Sequence, residues 1–85
     1  MEFKKSIGCQ YVFGFIEGLK EINPEVETTI KYRVEKSAII PETIIKCNEK
    51  HYYVKPVDYS LGELYSITEE EYNDILKKMN GDRKW

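Results

Sequence analysis

The chain has 85 residues and a formal net charge of −2, from 13 basic and 15 acidic side chains. That length sets a single domain with one thin core. The charge argues against a dedicated nucleic-acid binder, whose affinity comes mainly from neutralising phosphates. At 41% hydrophobic and 33% charged residues the composition is that of a folded globular protein, with no apolar run long enough to cross a membrane.

Near the N-terminus, Lys4 and Lys5 precede an apolar run from Ile7 to Ile16 that imitates a signal peptide. Gly8 and Gln10 interrupt it, Glu17 ends it and no small-residue cleavage site follows, so the segment reads as structural. Cys9 and Cys47 follow no disulfide-framework or metal-pair spacing, which points to reduced thiols in a cytoplasmic protein rather than a Cys9–Cys47 bridge. From Ser6 to Asn23, Val12, Phe15, Ile16, Leu19 and Ile22 recur at the three-and-four spacing of an amphipathic helix. Asn23-Pro24 stops that helix, because the residue before proline avoids helical dihedrals. Gly8, Gly14 and Gly18 each cost about 1 kcal/mol against Ala in a helix interior, and a buried strand over Tyr11–Ile16 is the competing reading. On a helix, Gly14 and Gly18 share one face, a smooth strip expected to pack on the protein's own sheet or, as the second option, on a partner helix.

The clearest pattern lies between Val26 and Lys36. Val26, Thr28, Ile30, Tyr32 and Val34 alternate with Glu27, Thr29, Lys31, Arg33 and Glu35, the period of a strand with one buried face. Residues 38–40 continue extended to Pro41. Thr43–Cys47 and His51–Val57 then form a hairpin around Asn48, Glu49 and Lys50. The register burying most apolar area puts Ile45 and Cys47 on one face with Tyr52 and Val54, leaving Lys46, His51, Tyr53 and Lys55 on the other. Glu63–Ile67 adds a short fourth strand.

The C-terminal helix carries a complete start signal. Thr68 and Glu71 have the spacing of a capping box, and Ile67 and Tyr72 that of a hydrophobic staple. Glu69, Glu70 and Glu71 complement the helix dipole at its start, and Lys77 and Lys78 at its end. Tyr72, Ile75, Leu76 and Met79 make one apolar stripe, Asn80-Gly81 closes the helix, and residues 82–85 form a mobile tail.

Few residues suggest chemistry. The lone histidine, His51, flanks the same hairpin turn as Cys47, but a thiol and an imidazole without an orienting third group are a weak nucleophilic site. A metal site from Cys9, Cys47, His51 and Asp58 has only the Cys47–His51 spacing in its favour. No glycine loop matches a nucleotide fingerprint, so no catalytic residue, metal ligand or cofactor is assigned.

Two charge features remain. Between Asp58 and Asp74 stand six carboxylates and no lysine or arginine, with Tyr59, Tyr65 and Tyr72 interleaved. Asp58, Tyr59, Glu63, Tyr65, Glu69, Glu70 and Asp74 could dock a basic groove on another protein, acids steering and tyrosines anchoring. The plainer reading is a solvated loop and the acidic start of a helix. Along the hairpin, Lys46, Lys50, His51, Tyr53 and Lys55 could stack bases and meet phosphates, or simply form the wet face of a sheet.

The expected fold is α+β: an N-terminal helix, a three- to four-stranded antiparallel sheet and a capped C-terminal helix, with both helices on one sheet face because 85 residues are too few to cover two. The leading functional expectation is a non-enzymatic protein-interaction module, an inhibitor or adaptor. Its Lys-, Ile-, Glu-, Asn- and Tyr-rich usage resembles that of AT-rich bacteria and their phages, so a mobile-element inhibitor is included. The alternative is a nucleic-acid-binding module using the hairpin face. A homodimer built on an exposed sheet edge or on the Gly14/Gly18 strip is compatible with either.

Overall fold

The computed structural model describes residues 1–35, 38–58 and 60–81; Tyr59 and the expected tail, residues 82–85, lie outside the described residues. The elements run β1 (Glu2–Gly8), α1 (Cys9–Ile22), β2 (Glu27–Glu35), β3 (Ala38–Cys47), β4 (Lys50–Pro56), β5 (Leu61–Ile67) and α2 (Glu69–Gly81). All five strands form one sheet in the order β1-β5-β4-β3-β2, and every neighbouring pair is antiparallel. The class is α+β as expected, with one more strand than the sequence suggested.

The extra strand is β1. Its only buried side chain is Ile7, so Glu2–Gly8 has no alternating apolar signal and shows as a strand only through its partner, β5. The helix read from Ser6 therefore begins at Cys9. Gly8 holds extended dihedrals (φ −68°, ψ 142°) with no side-chain cap, so strand passes into helix without a loop.

β2, the most regular strand of the sequence, lies at the edge of the sheet, and the face expected to be buried is only partly covered: Thr28 and Ile30 are half-buried and Tyr32 is exposed. The middle is β4, flanked by β3 and β5. Here consecutive residues are buried toward opposite faces: Ile44 and Ile45 are both 0% exposed, and Tyr53 and Val54 are both buried. On one face Ile45, Val54, Leu64 and Ile7 pack with Val12 and Ile16 of α1, joined by Phe15 and Leu19. On the other, Ile44, Tyr53 and Ile67 pack with Tyr72 and Met79 of α2, joined by Tyr65, Ile75 and Leu76.

The expectation that both helices share one face is therefore wrong. Three central strands are narrow enough for one short helix to cover each side, and the runs Thr43–Ile45 and Tyr52–Val54 are the continuous apolar signature of two-sided burial.

The hairpin register, which the turn residues leave open in the sequence, groups Ile45 and Cys47 with Tyr52 and Val54 on one face. Ile45 lies opposite Tyr52, Thr43 opposite Val54 and Cys47 opposite Lys50. The turn is made by Asn48 in the left-handed region (φ 58°), a conformation asparagine tolerates better than most residues. Its side-chain oxygen accepts a 2.7 Å hydrogen bond from the Asn23 amide, tying the turn to the end of α1.

The α2 cap also agrees: the Thr68 N–H donates to Glu71 Oε1 at 3.0 Å and the Glu71 N–H to Thr68 Oγ1 at 3.1 Å. Two details of α1 differ. Ile22 is 77% exposed rather than part of the buried stripe. Among the described residues a Cβ added at Gly14 or Gly18 would meet nothing within 4 Å, so the glycine strip is not packed on the sheet.

Candidate interaction surface

The acidic stretch does not fold into one patch. The Asp58 carboxylate closes the β4–β5 turn, accepting from the Ser60 N–H at 2.8 Å, the Ser60 hydroxyl at 2.9 Å and the Leu61 N–H at 2.9 Å. Those bonds, the Ser60 N–H foremost, hold its pKa below the ordinary carboxylate value. Glu69 and Glu70 are exposed at the start of α2, beyond the other end of β5. A seven-residue strand separates the two ends by roughly 20 Å, at about 3.3 Å per residue. Asp74 is exposed on α2.

Glu63 and Tyr65 do come together, on β5. The Tyr65 hydroxyl donates to Glu63 Oε1 at 3.0 Å, which raises the Tyr65 pKa, because ionising the phenol would break that bond beside a carboxylate.

Around this pair the fold adds residues that sequence reasoning missed. Phe3 lies opposite Tyr65, and Tyr65 opposite Tyr53. The three rings make a row across β1, β5 and β4, with centroids 5.7 Å apart and edge-on for Phe3–Tyr65, and 6.4 Å apart for Tyr65–Tyr53. The Tyr53 hydroxyl donates to the buried Glu42 carboxylate at 2.5 Å. Exposure falls along the row, from 51% at Phe3 to 9% at Tyr53, with Tyr65 half-buried between them.

The wall beside this row is α2, whose Ile75 packs into the same cluster as Tyr65. At its lower end the Met1 amino group meets Glu71 Oε2 at 3.0 Å. The result is an aromatic shelf bordered by the Glu63 carboxylate, with Glu71 already engaged by the Met1 amino group and the Thr68 N–H. Rings present a negative face, so such a shelf suits a cationic side chain laid over it with its charge near an acid. Only the register between β1 and β5 could have revealed it, because Phe3 sits between two charged residues in a segment with no strand signal.

The basic hairpin residues are dispersed. His51 is 6% exposed, its ring 5.0 Å from that of Tyr72 under α2, and its Nε2 has no hydrogen-bond partner among the described residues. Tyr53 is buried on the same side. Lys46 is half-buried and Lys55 exposed on that face, while Lys50 shares the opposite face with Cys47. The expected common wet face is absent because α2 covers its centre.

Cys47 and His51 point to opposite sides of the sheet, so the weak thiol–imidazole pairing does not form; Cys47 is a buried free thiol. Among the described residues no three metal-ligating side chains gather, and no helix is long and apolar enough to cross a membrane. Compared with known protein families, characterised proteins and solved structures, the chain matches none.

Proposed function

We propose that this chain is a non-enzymatic protein-interaction module, an inhibitor or adaptor that acts in the cytoplasm and docks a basic segment of another protein on the Phe3–Tyr65 shelf. The observation that carries the reading is Phe3: a phenylalanine 51% exposed, edge-on to a tyrosine whose hydroxyl is held by Glu63. An anchor ring that is solvated in the free protein, beside a fixed carboxylate, is the arrangement in which a buried contact and a charge contact reinforce each other. Glu69, Glu70 and Asp74, exposed along α2, add a negative field that steers a basic partner toward it.

The test is capture from host lysate after nuclease treatment, comparing wild type with Phe3→Ala and Glu63→Gln, each checked for its fold by circular dichroism. The expected result is one stoichiometric protein that survives nuclease, is lost with Phe3→Ala and is weakened with Glu63→Gln. Capture unchanged by both substitutions sinks the shelf. Nuclease-sensitive recovery of nucleic acid that disappears with Lys46→Gln, Lys50→Gln and Lys55→Gln replaces it with the nucleic-acid reading.

A further inference from the structure

The two outer edges of the sheet are built differently. β1 carries a register shift between Phe3 and Lys5 and two consecutive lysines, Lys4 and Lys5, devices that keep an edge from pairing with another strand. β2 has neither. Its nine residues hold an unbroken antiparallel register with β3, from Glu27 opposite Lys46 to Glu35 opposite Ala38, and the strand is last in the sheet order. Its outer row of backbone N–H and C=O groups is therefore a template for another strand.

Apolar surface follows the same edge. Tyr32 is 58% exposed, Thr28 and Ile30 are half-buried, and no described residue of β2 belongs to either buried cluster. A long, regular edge with Ile30 and Tyr32 on one face and Lys31 as its one lysine is open to another strand that meets its charges.

We infer that β2 pairs antiparallel with the β2 of a second copy of this chain, about a twofold axis perpendicular to the sheet at Thr29 or Ile30. The charge pattern selects the partner and the position. With the axis at Thr29, Glu27 of each copy lies opposite Lys31 of the other, and Thr28 lies opposite Ile30. With the axis at Ile30, Thr28 lies opposite Tyr32. Sliding one pair further, to Lys31, sets Lys31 against itself, which is repulsive. The strand thus carries its own charge complement with the axis at Thr29 and a barrier to the axis at Lys31. Pairing joins two five-stranded sheets into one continuous sheet and covers Ile30 and Tyr32 of both copies. The Phe3–Tyr65 shelf lies at the opposite edge of each copy and stays open.

The test is sedimentation velocity over a concentration series, with hydrogen exchange of the same samples. Wild type moves reversibly from a mass near 10.1 kDa to twice that value, and amide exchange within Glu27–Tyr32 slows with concentration while β1 amides are unchanged. Glu27→Lys puts two like-charge contacts in place of two opposite ones and weakens the dimer by about tenfold. Glu2→Lys, the same charge change on β1, leaves it intact. A monomer at every concentration overturns the inference, as does exchange that slows on β1 or α1 instead, or equal effects of Glu27→Lys and Glu2→Lys. If Glu27→Lys fails to fold, the exchange pattern of the wild type decides alone.

Discussion

Replacing Ile44 and Ile45 one at a time with alanine separates a sheet covered on two sides from a sheet covered on one. Both are 0% exposed, but Ile45 lies under α1 and Ile44 under α2. Deleting a buried isoleucine to alanine costs about 2–5 kcal/mol, transfer and cavity terms together. A domain of 85 residues holds roughly 4–13 kcal/mol in total, at ~0.05–0.15 kcal/mol per residue. Either substitution therefore removes a large share of the stability, and the two costs should be similar. Ile44→Val and Ile45→Val, at about 0.5–1.5 kcal/mol each, give the same comparison in a chain that stays folded. Ile22→Ala, at a residue 77% exposed, is the control and stays within ~0.5 kcal/mol of wild type. Urea unfolding followed by far-UV circular dichroism reads all five, with a constant m-value showing that the unfolded reference has not moved. An Ile44→Ala cost below ~1 kcal/mol, with Ile45→Ala at several, refutes a second core beneath α2.

Four further outcomes follow from local surroundings. Thr68→Ala removes the α2 cap and costs about 1 kcal/mol in the same assay. Its partner Glu71 has a pKa lowered first by the Thr68 N–H and then by the Met1 amino group, and Asp58 is lowered by the Ser60 N–H. A carboxyl depressed in the folded state stabilises above its unfolded pKa and loses that contribution as pH falls through the folded one. Stability should thus decline below the ordinary values of 4.5 for Glu71 and 3.8 for Asp58, and Glu71→Gln should flatten the first part of that decline in an acid titration. Glycines divide by their surroundings: a Cβ at Gly62 would meet Val54 Cγ1 at 3.0 Å and the Lys55 carbonyl at 3.3 Å. Gly62→Ala therefore costs about 1–3 kcal/mol, while Gly14→Ala and Gly18→Ala, whose added Cβ would meet nothing described within 4 Å, each add about 0.5–1 kcal/mol to thermal stability. Tyr53→Phe takes a donor from the buried Glu42 carboxylate and costs about 1.5–3 kcal/mol; Tyr65→Phe, whose bond to Glu63 is only part-buried, costs less than about 1 kcal/mol.

What the sequence determined by itself is local. The capping box, the staple and the stripe Tyr72–Met79 are written within the thirteen residues Ile67–Met79, and the α2 they predict is the α2 that forms. The faces of the β3–β4 hairpin followed from apolar burial, which groups Ile45 and Cys47 with Tyr52 and Val54, but its register was not legible, because the turn carries no Asn-Gly or Asp-Gly signature to fix it. The position of β2 was not legible: alternation says that a strand has two unlike faces, not how many strands lie beside it, and β2 stands at the edge.

The tertiary structure alone decided the features that depend on distant partners. β1 becomes a strand because β5 offers it a ladder from Ser66 to Leu61, not because Glu2–Gly8 prefers that state. The two helices take opposite faces because Ile44 and Ile45, neighbours in the chain, point in opposite directions on a pleated strand, and each needs its own cover. Phe3 and Tyr65 stand 62 positions apart in the sequence and meet only when β1 closes on β5. A surface made by such a meeting has no local signature, because its residues gain their shared environment only after the strands have paired.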